Sequence, residues 1–133
     1  DYLETNFPDA GLIIMDSPPG TSCPMIEAVK DADLIILVTE PTPFGLHDLR
    51  LAVETVKQLG KRHVVVINRY GIGNDDVIDY CNKNGIEIPA RIPNDRRIAA
   101  LYAEGELLDI ETVREQLKKI TVFLNDLRKE GGE

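Results

Sequence analysis

Cysteine is scarce in this chain. The two present, Cys23 and Cys81, lie far apart and form no C-x-x-C pair, which excludes a disulfide framework and a thiolate metal site and fits a reducing, cytoplasmic setting. Basic residues are outnumbered, 15 Lys and Arg against 23 Asp and Glu, for a net charge of −8. That balance argues against nucleic acid as the main partner and gives no electrostatic reason to sit on anionic lipid. No apolar run is long enough to span a bilayer and no signal peptide is evident. The two histidines, His47 and His63, have no carboxylate or second histidine at ligand spacing, so neither is assigned a metal. An initiating methionine is also missing, and the opening DYLETNFPDAG offers no strand before Leu12. The chain reads as a piece cut from something longer.

What is present suits one globular α/β domain. At 133 residues with 43% apolar and 29% charged side chains, a chain buries roughly two thirds of its surface on folding. Strand and helix alternate throughout. Leu12–Met15 reads as a short buried strand, Met25–Ala32 as a helix, and Leu34–Thr39 (LIILVT) as a second buried strand. Leu46, Leu49, Val53 and Val56 recur at helical spacing, with Gly60 as a stop. His63–Asn68 (HVVVIN) is a third strand, and Asn74 caps a helix that ends near Gly85. Ile86–Ile92 alternates, and Pro89 within it makes it an edge or bulged strand. Asn94 or Asp95 caps a short helix ending at Gly105. Ile110, Val113, Leu117, Ile120, Leu124 and Leu127 then mark the apolar face of a long final helix, capped by Asp109 and stopped by Gly131. Strands apolar on both faces and separated by helices predict a mainly parallel sheet of about four strands in a three-layer α/β/α sandwich.

Ligands of such sheets bind beyond the carboxyl ends of the strands. The segments there are Asp16-Ser17-Pro18-Pro19-Gly20, Glu40–Gly45, Asn68-Arg69-Tyr70-Gly71 and Pro93-Asn94-Asp95. Asp16 follows four apolar residues, the form of a Walker B strand, whose carboxylate orients Mg²⁺ through a bound water. Gly20 lets the backbone approach a terminal phosphate. The plainer alternative is an Asx-turn at Asp16 broken by Pro18-Pro19. Asn68 ends an apolar strand, where an amide can meet both N6 and N7 of adenine. Gly71 stands where guanine readers of the Asn-Lys-x-Asp type carry Asp, which disfavours guanine. The alternatives are a turn residue in left-handed geometry for Asn68, and a strand end followed by a helix cap for Pro93 and Asn94. Tyr70, Tyr80 and Tyr102 are scattered, and the cysteines suit small packed positions.

Taken in order, LIIMDSPPG, LIILVTEPTPFGLHDL, VVVINRYG and ARIPND resemble the C-terminal half of the MinD/ParA/Mrp class of P-loop ATPases. The match is nearest to the MinD-like ATPases with an inserted ferredoxin domain. The resemblance covers nearly the whole chain. It implies that Asp-x-Pro-x-Gly is the Walker B and switch II element, with Asp16 serving Mg²⁺ and Gly20 facing the γ-phosphate. Asn68 and Arg69, with Pro93 and Asn94 as one wall, would hold the adenine of ATP or ADP. The Glu40–Gly45 loop would lie near a dimer face, since these proteins sandwich ATP between two subunits.

The family's Gly-rich phosphate loop with two lysines, K-G-G-x-G-K-[ST], does not occur in the sequence, nor do the ferredoxin cysteines. Both precede this stretch in the family. The expectation is therefore a C-terminal portion of a homodimeric Mg-ATP-dependent ATPase that handles an iron–sulfur cluster or electrons for a client protein. The chain alone would bind no cluster and hydrolyse no ATP. A non-catalytic α/β module acting through protein contacts is the competing reading. A receiver or flavodoxin-like domain lacks its acidic cluster or its Ser/Thr phosphate loop. The final helix mixes acids and bases, which weakens a membrane role.

Overall fold

The computed structural model describes residues 5–6, 9, 11–106 and 110–131. Three strands form one parallel sheet in the order β1 (Ile35–Thr39), β2 (His63–Tyr70), β3 (Ala90–Pro93). Each parallel step requires a crossover. Helix α2 (Pro43–Gln58) joins β1 to β2, and α3 (Asp76–Lys83) joins β2 to β3. Helix α1 (Cys23–Val29) precedes the sheet, while α4 (Arg96–Glu104) and α5 (Glu111–Glu130) follow it.

Alternation along the strands divides the core. Odd-numbered strand residues Ile35, Val65 and Ile67 bury against the first three helices. Leu49, Val53, Val77, Cys81 and Ile86 gather on Val65 and Ile67, while Met25, Val29 and Val56 gather on Ile35. Helix α5 packs on β3, with Ile110 and Val113 buried outside both clusters. This is the α/β/α layering that the apolar runs predict. On the even-numbered face Val64 and Val66 are buried, but Val38 is 65% exposed.

The predicted strand Leu12–Met15 is where the structure departs most from the sequence. It is neither paired nor buried; Leu12 is 53% and Ile14 82% exposed. Among the described residues the sheet therefore has three strands, not four, and β1 is an edge with no neighbour on its outer side. An apolar run specifies a buried strand only where a partner ladder and a covering layer exist.

The two edges differ. On β3 the Arg91 N–H donates to Gln116 Oε1 of α5 at 2.9 Å, and prolines at 89 and 93 remove further donors. Among the described residues nothing comparable guards β1, whose five residues IILVT carry no charge.

Helix ends follow local chemistry. Thr42 Oγ1 accepts from the Gly45 N–H and Asp95 Oδ1 from the Arg97 N–H, the N-cap arrangement. Gly105, at φ 76°, closes α4 in left-handed geometry. The N-cap of α3 is Asp75 rather than Asn74, although Asn74 Oδ1 accepts the Asp76 N–H. The expected cap at Asp109 lies outside the described residues, and Ile110 occupies the N-cap of α5.

Candidate functional site

The carboxyl ends of the three strands come together through an irregularity in β2. Ile67 pairs with Arg91 and Tyr70 with Pro93, so β2 fits one more residue than β3 into the same interval. That is a β-bulge, a device that re-aims side chains. Arg69 lies within it at φ 52°, the sole non-glycine residue with positive φ among those described. A long side chain in left-handed geometry is uncommon and costs energy that the surroundings must offset. The sequence reading placed this geometry at Asn68 as an alternative; the structure puts it one residue later.

The bulge turns the Arg69 N–H back onto Asn68 Oδ1 at 3.0 Å. It sends the guanidinium across the strand ends, where Nε lies 3.5 Å from Asn94 Oδ1 and Nη1 3.6 Å from Glu40. The Asn94 N–H donates to the Tyr70 carbonyl at 2.9 Å. The carboxyl end of β2 is thus tied by one arginine to the segments after β1 and β3. The Arg91 guanidinium covers the Tyr70 ring, 5.4 Å from its centre. Beside them lies a cavity of about 340 Å³ lined in part by Tyr70, Arg91, Pro93 and Gln116.

Two glycines let the loops meet. A Cβ on Gly45 would lie 2.1 Å from the Glu40 carbonyl oxygen, and one on Gly73 would lie 1.6 Å from that of Pro41. Thr39, buried and polar, donates its hydroxyl to the Gly45 carbonyl at 3.0 Å. The sequence reading missed Thr39, Gly73 and the bulge. The run of Asn68 through Gly73, with its two glycines after a β-branched strand, was the available signal.

Asn68, Arg69 and Asn94 are therefore neighbours, and Pro93 pairs with Tyr70 beside them. Asp16 and Gly20 are not joined to them by any hydrogen bond or ion pair among the described residues. Asp16 is exposed at the end of the unpaired Leu12–Met15 stretch. Gly20 has φ 92°, and a Cβ there would meet nothing within 4 Å, so its backbone angle rather than packing calls for glycine. Among the described residues no three His, Cys, Asp or Glu side chains are grouped to hold a metal. A lone exposed carboxylate suits an ion held mainly by water and phosphate oxygens, as Mg²⁺ is, and not an all-protein cage. No described helix is long and apolar enough to cross a membrane.

No family model matches the sequence. Two uncharacterized proteins of Methanocaldococcus jannaschii are similar to it. One is 37% identical over 112 residues, covering 84% of this chain and 38% of that protein. The other is 32% identical over 117 residues, covering 86% and 41%. An iron-sulfur cluster carrier protein of Aquifex aeolicus is 25% identical over 119 residues, 78% of this chain and 33% of that one. The chain thus spans about two fifths or less of the length of these relatives. Among solved structures, the MinD cell division protein of Aquifex aeolicus superposes with a TM-score of 0.75 at 20% identity, over 91% of this chain and 56% of that one. The chain has a parallel α/β fold of the P-loop NTPase type. Within that class its fold is that of the MinD-like ATPases, as the four ordered motifs imply.

Proposed function

We propose that the chain is the adenine-binding and switch portion of a Mg-ATP-dependent MinD-like ATPase. One observation carries this reading: the bulge in β2 gathers Asn68, Arg69 and Asn94 at the carboxyl ends of three parallel strands, where such sheets take their ligands. Asn68 meets the N6 and N7 edge of adenine, using the second lone pair of Oδ1 and its Nδ2 hydrogens. Pro93 and Asn94 wall the base. Asp16 orients Mg²⁺ through water, and Gly20 offers its N–H to the γ-phosphate. Magnesium, when bound, would neutralise charge on the transferring phosphoryl group.

In this reading the phosphate loop, with its two lysines, and the ferredoxin insert belong to the part of a longer protein that precedes these residues. The outer edge of β1, unpaired among the described residues, supports it, because a strand there would give Leu12–Met15 a ladder to join. Most of the phosphate affinity and catalytic charge would reside in that part, so the chain alone turns over no ATP. The longer protein is a cytoplasmic homodimer with ATP between its subunits and the Glu40–Gly45 loop near the dimer face. The likeness to an iron-sulfur cluster carrier protein supports a role in moving clusters or electrons to a client.

The test is a paired one. Titrating Mg-ATP into the chain should give weak binding that Asn68→Ala abolishes, without phosphate release. Mg-dependent hydrolysis by the chain that disappears in Asp16→Ala would overturn the claim of inactivity. Binding insensitive to Asn68→Ala would remove the base-reading role and favour a non-catalytic module.

A further inference from the structure

We infer that Arg69 is a positioning residue that sets the amide orientation of both asparagines at the strand ends, and with it the choice of base. The inference rests on the base-reading role proposed above. It departs from that reading in giving Arg69 no direct contact with the nucleotide.

The argument is one of donors and acceptors. A backbone N–H and a guanidinium can only donate, and an asparagine amide offers one acceptor atom and one donor group. Asn68 faces the Arg69 N–H, and Asn94 faces the Arg69 Nε–H. Each amide must therefore turn its oxygen toward Arg69 and its Nδ2 away, which fixes an orientation that geometry alone leaves ambiguous. At its other end the guanidinium faces Glu40, 3.6 Å away, an ion pair that competes with any ligand for it. The two outward Nδ2 groups face acceptor atoms such as N7 or N1 of adenine. Asn68 keeps one lone pair for the N6 amine. A rotated Asn68 would present the reverse pattern and lose that match. The bulge holds Arg69 at φ 52°, and in that conformation its guanidinium reaches across two other loops.

Two substitutions separate these parts. Arg69→Gly accepts positive φ without strain and keeps the N–H, but has no guanidinium. Arg69→Lys keeps a charge for Glu40 but lacks the planar fork. In the free 133-residue chain, NMR relaxation of the side-chain amides should show Asn94 losing order in both variants while Asn68 stays ordered. With adenosine and guanosine as probes, the preference for adenosine should fall by roughly 3- to 10-fold, the loss of one ordering hydrogen bond. Backbone spectra establish that each variant is folded, and Arg69→Lys carries the test if Arg69→Gly is not. An Asn94 amide as ordered in the folded variants as in the wild type overturns the inference. So does an unchanged base preference. If the wild-type chain binds neither nucleoside, the base-reading proposal falls by itself. The positioning role is then decided by the amide order in the free protein.

Discussion

Gly73 lies directly on Pro41: a Cβ at Gly73 would fall 1.6 Å from the Pro41 carbonyl oxygen. The loop after β2 and the loop after β1 therefore touch backbone to backbone. That contact brings Glu40 within reach of Arg69. The obstructing atom is main chain, which no rotamer change can move aside. Gly73→Ala should destabilise the chain by about 1–3 kcal/mol, the usual cost of overpacking. It should also part the two loops. Urea unfolding measures the first effect and the amide shifts of Glu40 and Arg69 the second. A stability within error of the wild type would mean that the loops do not pack this way.

Asp95 gives the site a pH dependence. The Arg97 side-chain hydrogen bond, followed by the Arg97 backbone N–H, holds the Asp95 carboxyl below its ordinary value of 3.8. The folded value lies below the unfolded one, so folding favours the ionised form. The cap contribution to α4 is complete above the unfolded value and is lost as the pH falls through the depressed folded value. Asp95→Asn keeps a capping oxygen that does not titrate. Protection of the first-turn amides of α4 against exchange, relative to their intrinsic rates, should fall below about pH 4 in the wild type. In Asp95→Asn the change should be absent. Equal acid sensitivity in both would place the titrating group elsewhere.

The cysteines should react at very different rates. Cys81, on α3, is fully buried in the cluster around Val65 and Ile67 of β2, and burial pushes its thiol up to about 11. Cys23 is exposed at the start of α1. A thiol reagent at pH 8 should label one site quickly and the second only on unfolding, since the thiolate is the reactive form. The raised folded value has a further consequence. Stability is complete below the unfolded thiol value near 9 and declines as the pH rises from there toward 11. Two fast-reacting thiols in the native chain would contradict the packing of the larger core cluster.

The readings that succeeded and failed from sequence differ in what they depend on. The four inner residues of HVVVIN are β-branched and buried, so β2 was legible in nearly its observed span. The spacing of Leu49, Val53 and Val56 likewise marked the buried face of α2. That Asn68, Arg69, Pro93 and Asn94 lie at strand ends was legible because strand-end position is a topological property that alternation reveals. The bulge was not, because a one-residue shift in register depends on both strands at once, and the Asn68–Gly73 run by itself signals only that the strand turns. Leu12–Met15 has the same apolar signature as β1, yet one is paired and the other is not. Apolarity records what a segment can bury and says nothing of which neighbour is present.

That difference yields the last prediction, at Val38. Its side chain is 65% exposed on the uncovered face of β1, and the outer ladder of β1 is unpaired. An edge of this kind, uncharged and β-branched, invites pairing with another chain. Lysine at an edge is a common guard against it. In the isolated 133-residue chain, Val38→Lys should reduce concentration-dependent association and leave stability within about 0.5 kcal/mol, as for an exposed position. In a longer protein that supplies a strand to this edge and a layer over this face, the same lysine would be buried without a partner and should cost several kcal/mol. Sedimentation of the short chain and thermal unfolding of the longer one would measure the two effects. Opposite signs would establish that the β1 edge is an internal seam of a larger sheet. A lysine tolerated in both would make it a true outer edge, and the phosphate-binding part would then have to dock elsewhere.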